Sequence, residues 1–165
     1  MRISLSTASI NNKAPYPVRS ENGHTFLFAT RYGLTYEVGF VEDSMLSDDG
    51  LVFQIFIDNT YEKRAPADSD VYLTIVAILE EFFKNDNTAI VYICDCRDGR
   101  QAVRQRLFEI WFAAYPDNNQ YCLLTKTLTA DGIPYYVSLL ARTNMPLLPD
   151  RIATLNRLHQ TLEGK

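Results

Sequence analysis

The sequence predicts an α+β domain: a mostly antiparallel five- or six-stranded sheet with three helices, in the order βββαβαββα. Three observations carry this prediction. Apolar residues alternate with polar ones in two blocks, residues 26–57 and 120–142, the pattern of strands with one buried face. An unbroken apolar run at residues 89–94 has strand length and reads as a central strand covered on both faces. Around these blocks, apolar residues recur three times at helical spacing.

The first fifteen or so residues are rich in Ser, Asn and Thr, and Pro15 and Pro17 flank Tyr16. They read as a loose leading segment, residues 1–20, outside the core of a single domain at 21–165. From His24, Phe26 and Phe28 share a face, Tyr32-Gly33 makes a turn, and Leu34, Tyr36, Val38 and Phe40 alternate with Thr35, Glu37 and Gly39. This is a β-hairpin. The acidic stretch with Glu42, Asp43, Asp48 and Asp49 lacks the spacing of a calcium loop and reads as a solvated turn. It leads into a third strand carrying Leu51, Phe53, Ile55 and Ile57.

Asp68-Ser69-Asp70 supplies caps and negative charge for a helix start, and apolar residues at 72, 75, 76, 79, 82 and 83 extend that helix over 69–85. After the 89–94 strand, Asp98-Gly99 opens a second helix to about Tyr115. Val103, Leu107, Ile110, Trp111 and Ala114 form one of its stripes, and Phe108, Phe112 and Tyr115 another. Strands 120–128 and 133–142 follow, joined through Asp131-Gly132, which supplies the positive φ such connections need. Pro146 and Pro149 punctuate a linker, and Asp150 opens a terminal helix with Ile152, Leu155, Leu158 and Leu162 on one face.

Composition narrows the function classes. The 165 residues, 47% hydrophobic, suffice to bury a core without disulfides or a structural metal. A net charge of -4 and a pI near 5.1 disfavour nucleic acid as a partner. Three cysteines at 94, 96 and 122 cannot all pair, which fits a reducing compartment. No apolar run follows Arg2 and none reaches the ~18 residues of a membrane span, so a cytoplasmic protein off the membrane is expected.

Phosphate loops, dinucleotide fingerprints and nucleophile elbows are missing from the sequence. An acetyltransferase-like phosphate loop fails because Arg100 stands where a glycine is needed. Cys94-x-Cys96 has only the isolated Cys122, His24 and His159 as further ligands, and Asp58 and Asp95 at strand ends lack the Glu-x-Lys of a nuclease site. No metal and no cofactor are expected.

The segment that can carry function lies between Cys94 and Phe112. It sets polar groups where a buried strand ends and a helix begins, a favoured place for anions. Arg97, Arg100 and Arg104 share a helical face by steps of three and four, and Asp95 and Asp98 can hold the guanidiniums. A purely structural reading stands beside this one: Asp98 caps the helix, Asp95 pairs with Arg97 or Arg100, and Arg106 pairs with Glu109 on a solvated face.

The leading functional reading is a non-enzymatic binding or regulatory module that recognises a protein partner or an anionic ligand through Arg97, Arg100, Gln101 and Arg104. The alternative is a small transferase or hydrolase acting on a phosphorylated or nucleotide substrate, with Asp95 or Asp98 as general base. Phe108, Trp111, Phe112 and Tyr115 give the second helix an apolar face wider than one sheet contact demands. The terminal helix covers the surplus, or a partner does, a second copy included.

The run Cys94-Asp95, Asp98-Gly99-Arg100-Gln101, Arg104, Arg106-Leu107-Phe108 and Trp111-Phe112 resembles the central motif of an uncharacterised family of small bacterial proteins. Tyr32-Gly33 with the strand after it, and Glu81-Phe82-Phe83, extend the resemblance over most of residues 25–140. It implies a bacterial cytoplasmic domain of unknown function and assigns no catalytic role to any residue.

Overall fold

A computed structural model describes residues 3–44, 46, 48–59, 66–94, 99 and 101–163, with the backbone alone at 101, 130 and 158–163. Its elements are α1 (Thr7–Asn11), β1 (Thr25–Ala29), β2 (Thr35–Glu42), β3 (Val52–Asn59), α2 (Ser69–Phe82), β4 (Ala89–Cys94), α3 (Gln101–Ala114), a 3-10 turn (Asn118–Gln120), β5 (Tyr121–Ala130), β6 (Ile133–Arg142) and α4 (Leu148–Glu163). The strands make one six-stranded sheet in the order β1-β2-β3-β4-β6-β5. The hairpin pairs are antiparallel, as is β4 with β6. The backbone bond from Ala89 N–H to Leu51 O sets the start of β4 beside the start of β3, so the helical crossover joins parallel neighbours and the sheet is mixed. The α+β class and the predicted element order hold, with α1 added in front.

Two compact units share the chain: Met1–Val41 with Ile55–Asn85, and Glu42–Gln54 with Asp86–Lys165. In the first, β1 and β2 pair with Phe26 opposite Val38 and Phe28 opposite Tyr36, and both phenylalanines are fully buried. Gly33 takes the positive φ of 76° that the intervening turn requires. Asp68 caps α2 by accepting from Asp70 N–H at 3.0 Å, which satisfies a donor the helix leaves unpaired. The buried face of α2 includes Ile75, Ile78 and Phe82, and the Phe82 ring stacks on Phe40 at 4.8 Å.

The leading residues depart from the expectation that they stay outside the core. Ser6 caps α1, and Ile10, Tyr16 and Val18 are buried. Tyr16 donates its hydroxyl to Asp68, and Arg19 exchanges two 2.9 Å backbone bonds with Leu27 on β1. The apolar pattern here, Tyr16 and Val18 beside prolines, is too short for periodicity to register.

In the second unit β4, β6 and β5 lie side by side, and Asp131 (φ 52°) and Gly132 (φ 78°) form the two-residue turn that closes the last hairpin. One face of these strands is aliphatic: Val91, Leu139, Ala141 and Leu128 pack with Leu155 of α4. The acidic turn is solvated at Glu42, Asp48 and Asp49, as expected, but not at Asp43. Asp43 is buried, accepting from Leu46 N–H at 2.9 Å and Gln54 Nε2 at 2.8 Å, and Asp49 pairs with the buried Arg151 of α4. A buried carboxylate that meets two such donors, as Asp43 does, has its loss of water offset, and no local spacing rule reveals the partner of Asp49 about a hundred residues away in sequence. Pro149 belongs to the first turn of α4 and not to a linker, a position where its missing N–H is harmless.

A Cβ on Gly39 would fall inside the ring of Phe56 on the neighbouring strand β3. Gly39→Ala is therefore expected to lower stability by about 1–3 kcal/mol in urea unfolding, as overpacked cores do. The double variant Gly39→Ala/Phe56→Leu should recover part of that loss.

Candidate functional site

The face of β4, β6 and β5 opposite the aliphatic one begins with an apolar row, Ile90, Leu140 and Leu123, and turns polar toward the Cys94 end of β4. Register sets Tyr92, Ser138 and Thr125 in one row across the three strands, and Cys94, Tyr136 and Thr127 in the next. Helix α3 lies on this face, with Phe108 over the Tyr92 ring at 4.8 Å. Its Gln105, only 4% exposed, drops into the polar rows. Gln105 Nε2 donates to Ser138 Oγ at 3.0 Å, Thr125 Oγ1 at 3.1 Å and Glu109 Oε1 at 3.2 Å. Its Oε1 accepts from Cys94 Sγ at 3.4 Å and Ser138 Oγ at 3.2 Å, while Thr125 and Ser138 share a 2.9 Å bond. One amide thus joins two strand hydroxyls and a thiol, and none of these buried polar groups is stranded.

This seam decides which side of α3 faces inward. Val103, Leu107 and Ile110, expected among the core stripes, are 58%, 44% and 53% exposed. Helical periodicity locates stripes without saying which one meets the sheet. A sheet face made of Ser138, Thr125 and Cys94 takes the stripe that can hydrogen-bond to it. Phe108 is spent on the same contact, whereas Trp111, Phe112 and Tyr115 are half-buried, Tyr115 lying edge-on to Tyr121 at 6.0 Å.

Asp95, Arg97, Asp98 and Arg100 lie outside the described residues. Gln101 opens α3, and Arg104 is half-buried one turn further on. Burial pushes the Cys94 thiol up to about 11, against the opposing pull of a hydrogen bond with Tyr92 and the charge of Arg104. A protonated thiol in this position is a hydrogen-bond donor and a poor nucleophile. Cys122 pairs in register with Ala141, on the aliphatic face, so the two cysteines point to opposite sides of the sheet. Among the described residues no group of three His, Cys, Asp or Glu could hold a metal ion. No helix among them is long and apolar enough to cross a membrane.

Between α3 and the outer strand β5 runs an open depression. Ala102, Arg106 and Glu109 form its helical wall, Thr125, Thr127 and Tyr136 its strand wall, and Gln105 its floor. Arg106 and Glu109 are both exposed, and Glu109 is engaged by Gln105. The sequence did not mark Gln105, Ser138 or Thr125. The available signal was that Ser138 and Thr125 interrupt apolar strands at positions that become neighbours only once register is known.

These features define a small α+β domain in which one helix covers the polar face of a sheet, leaving an open groove beside an edge strand. A family model matches residues 67–154, more than half of the chain, and the chain belongs to that family, a family of unknown function, DUF6169. No curated protein matches it. The matched region runs from the cap of α2 into α4 and takes in the seam and the groove, whereas Tyr32-Gly33 and the first hairpin fall outside it.

Replacing Gln105 with Leu removes the common partner of Ser138, Thr125 and Cys94. Urea unfolding should show a loss of roughly 1–3 kcal/mol, and Gln105→Leu/Ser138→Ala should cost less than the sum of its parts. The raised Cys94 value also has a pH signature. The folded state keeps a proton that the unfolded chain releases, so stability is fully present below the ordinary 9.0 and falls as pH rises toward about 11. Cys94→Ala should flatten that alkaline decline relative to wild type, with tyrosine contributions common to both.

Proposed function

We propose that the chain is a binding module that recognises an acidic region of a protein partner through the Arg-rich segment and α3, with Arg97, Arg100, Gln101 and Arg104 as binding residues. The observation that carries this reading is the outward stripe of Val103, Leu107 and Ile110. A helix that already satisfies its sheet with Gln105 and Phe108 presents three large apolar side chains one turn apart, the anchor spacing of helix-mediated recognition. Four arginines, at 97, 100, 104 and 106, crowd the same twelve-residue stretch that holds Asp95 and Asp98, in a chain whose net charge is -4. This local excess of positive charge favours an acidic partner and sets its orientation. An open apolar stripe suits a macromolecular surface better than a small anion, which needs enclosure to be held. The motif through Trp111 and Phe112 fits a bacterial cytoplasmic protein, where Cys94 and Cys122 stay free thiols.

A photoreactive residue in place of Ile110, activated in the native cell, tests the reading. The expected product is a crosslink to one acidic segment of one protein. Its yield should drop at least about tenfold, the equivalent of roughly 1.4 kcal/mol, in a folded Arg100→Ala/Arg104→Ala variant. Crosslinks scattered over unrelated proteins, or to another copy of this chain alone, would overturn it.

A further inference from the structure

We infer that the partner is held as an added β-strand on the open edge of β5, in the groove beside α3, by an extended segment that alternates acidic and apolar residues. This rests on the protein-binding reading above and names how the partner is gripped.

The edge itself supplies the first argument. Among the described residues β5 is the last strand of the sheet, and it pairs with β6 over ten residues without a break in register. It has no proline and a single charged residue, Lys126. Sheet edges are ordinarily shielded by shortness, bulges, prolines or a covering segment. The opposite edge shows such protection: β1 is five residues long and Arg19 bonds along it to Leu27. β5 is long, unbroken in register and free of proline, and although α4 packs on its aliphatic face, its hydrogen-bonding side facing away from β6 carries, among the described residues, none of these devices, which leaves a template for strand addition.

Hydrogen-bond phase identifies the groups on offer. Thr143 N–H bonds to Gln120 O at 3.0 Å, one step beyond the Tyr121–Arg142 pair, and Ala130 and Ile133 close the two-residue turn. Antiparallel bonding alternates along a strand, so the even-numbered residues of β5 bond to β6. The N–H and C=O groups of Leu123, Thr125, Thr127 and Thr129 then point away from β6, along the open side.

Side chains set the chemistry of the guest. On the α3 side an added strand meets Thr125, Thr127 and the exposed Arg106, with the exposed Glu109, hydrogen-bonded to Gln105, on the same wall and four arginines in the stretch leading into it. On the other side, where α4 packs, it meets the half-buried Cys122, Leu124 and Lys126 in succession. Strand side chains alternate between faces, so the fitting guest carries acidic residues at every second position and apolar ones between.

Backbone amide exchange on the full chain tests this, with a synthetic peptide of β5's length alternating glutamate and valine as probe. The same composition arranged as a glutamate block and a valine block is the control. The alternating peptide should slow exchange at Leu123, Thr125 and Thr127 by about tenfold or more and leave Leu124 and Lys126 as slow as before. The block peptide should not. Methylating alternate peptide nitrogens, which leaves the protein untouched, should abolish the effect in one of the two phases only, and Thr127→Pro should abolish it from the protein side without disturbing the β6 bonds. Binding that perturbs α3 while leaving the β5 amides unprotected overturns strand addition and leaves the binding-module reading standing. Protection that rises with protein concentration without peptide, together with a dimer in sedimentation, makes a second copy the occupant and overturns the proposal. Failure of both peptides to bind overturns it as well, and the Ile110 crosslink then reports separately on the parent reading.

Discussion

The second unit depends on the need to satisfy a polar sheet face buried beneath a helix. Ser138, Thr125 and Cys94 stand where most sheets carry aliphatic side chains, and removal from water obliges each to find a partner. Gln105 is the partner common to all three, with a donor end turned to the hydroxyls and an acceptor end turned to Cys94, beside the bond that Thr125 and Ser138 share. The placement of this amide goes together with that of the rest of α3. Its rotation about its own axis, the burial of Phe108 against Tyr92, and the outward position of Val103, Leu107 and Ile110 are consequences of the same contact.

The two faces of the strands thereby do different jobs. The aliphatic face, with Val91, Leu139 and Leu155, is tolerant in character: apolar groups pack in many ways for similar energies. The polar face admits few arrangements, because a shift of one residue in the β5–β6 register would separate Thr125 from Ser138 and turn Thr125 to the opposite face.

Much of the fold was legible in the residues. The alternation from Phe26 to Phe40, the Asp68 cap, the apolar strand 89–94 and the Asp131-Gly132 turn each encode their structure within a few neighbours, where local rules apply. What the residues hid is what depends on distant partners. Asp49 reads as an unpaired turn residue until Arg151 is brought to it, and Tyr16 reads as a loop residue until Asp68 and Phe28 surround it. The Arg-rich segment was visible as composition. The groove beside it was not, because Gln105 looks like any exposed helix residue until the register of three strands sets hydroxyls beneath it.

The second unit is stitched from two stretches of chain, with Leu46 and Val52 from the first packing among residues that follow Asp86. The turn that supplies them is tied down by the Asp49 contact to α4. During synthesis this core therefore waits for the last helix, and its early contributors spend that interval without their neighbours. The span 67–154 common to the family cuts across both units: it includes α2 from one and omits Leu46 and Val52 from the other. That span marks what the chain shares with its family, and its ends do not coincide with the borders of either compact unit.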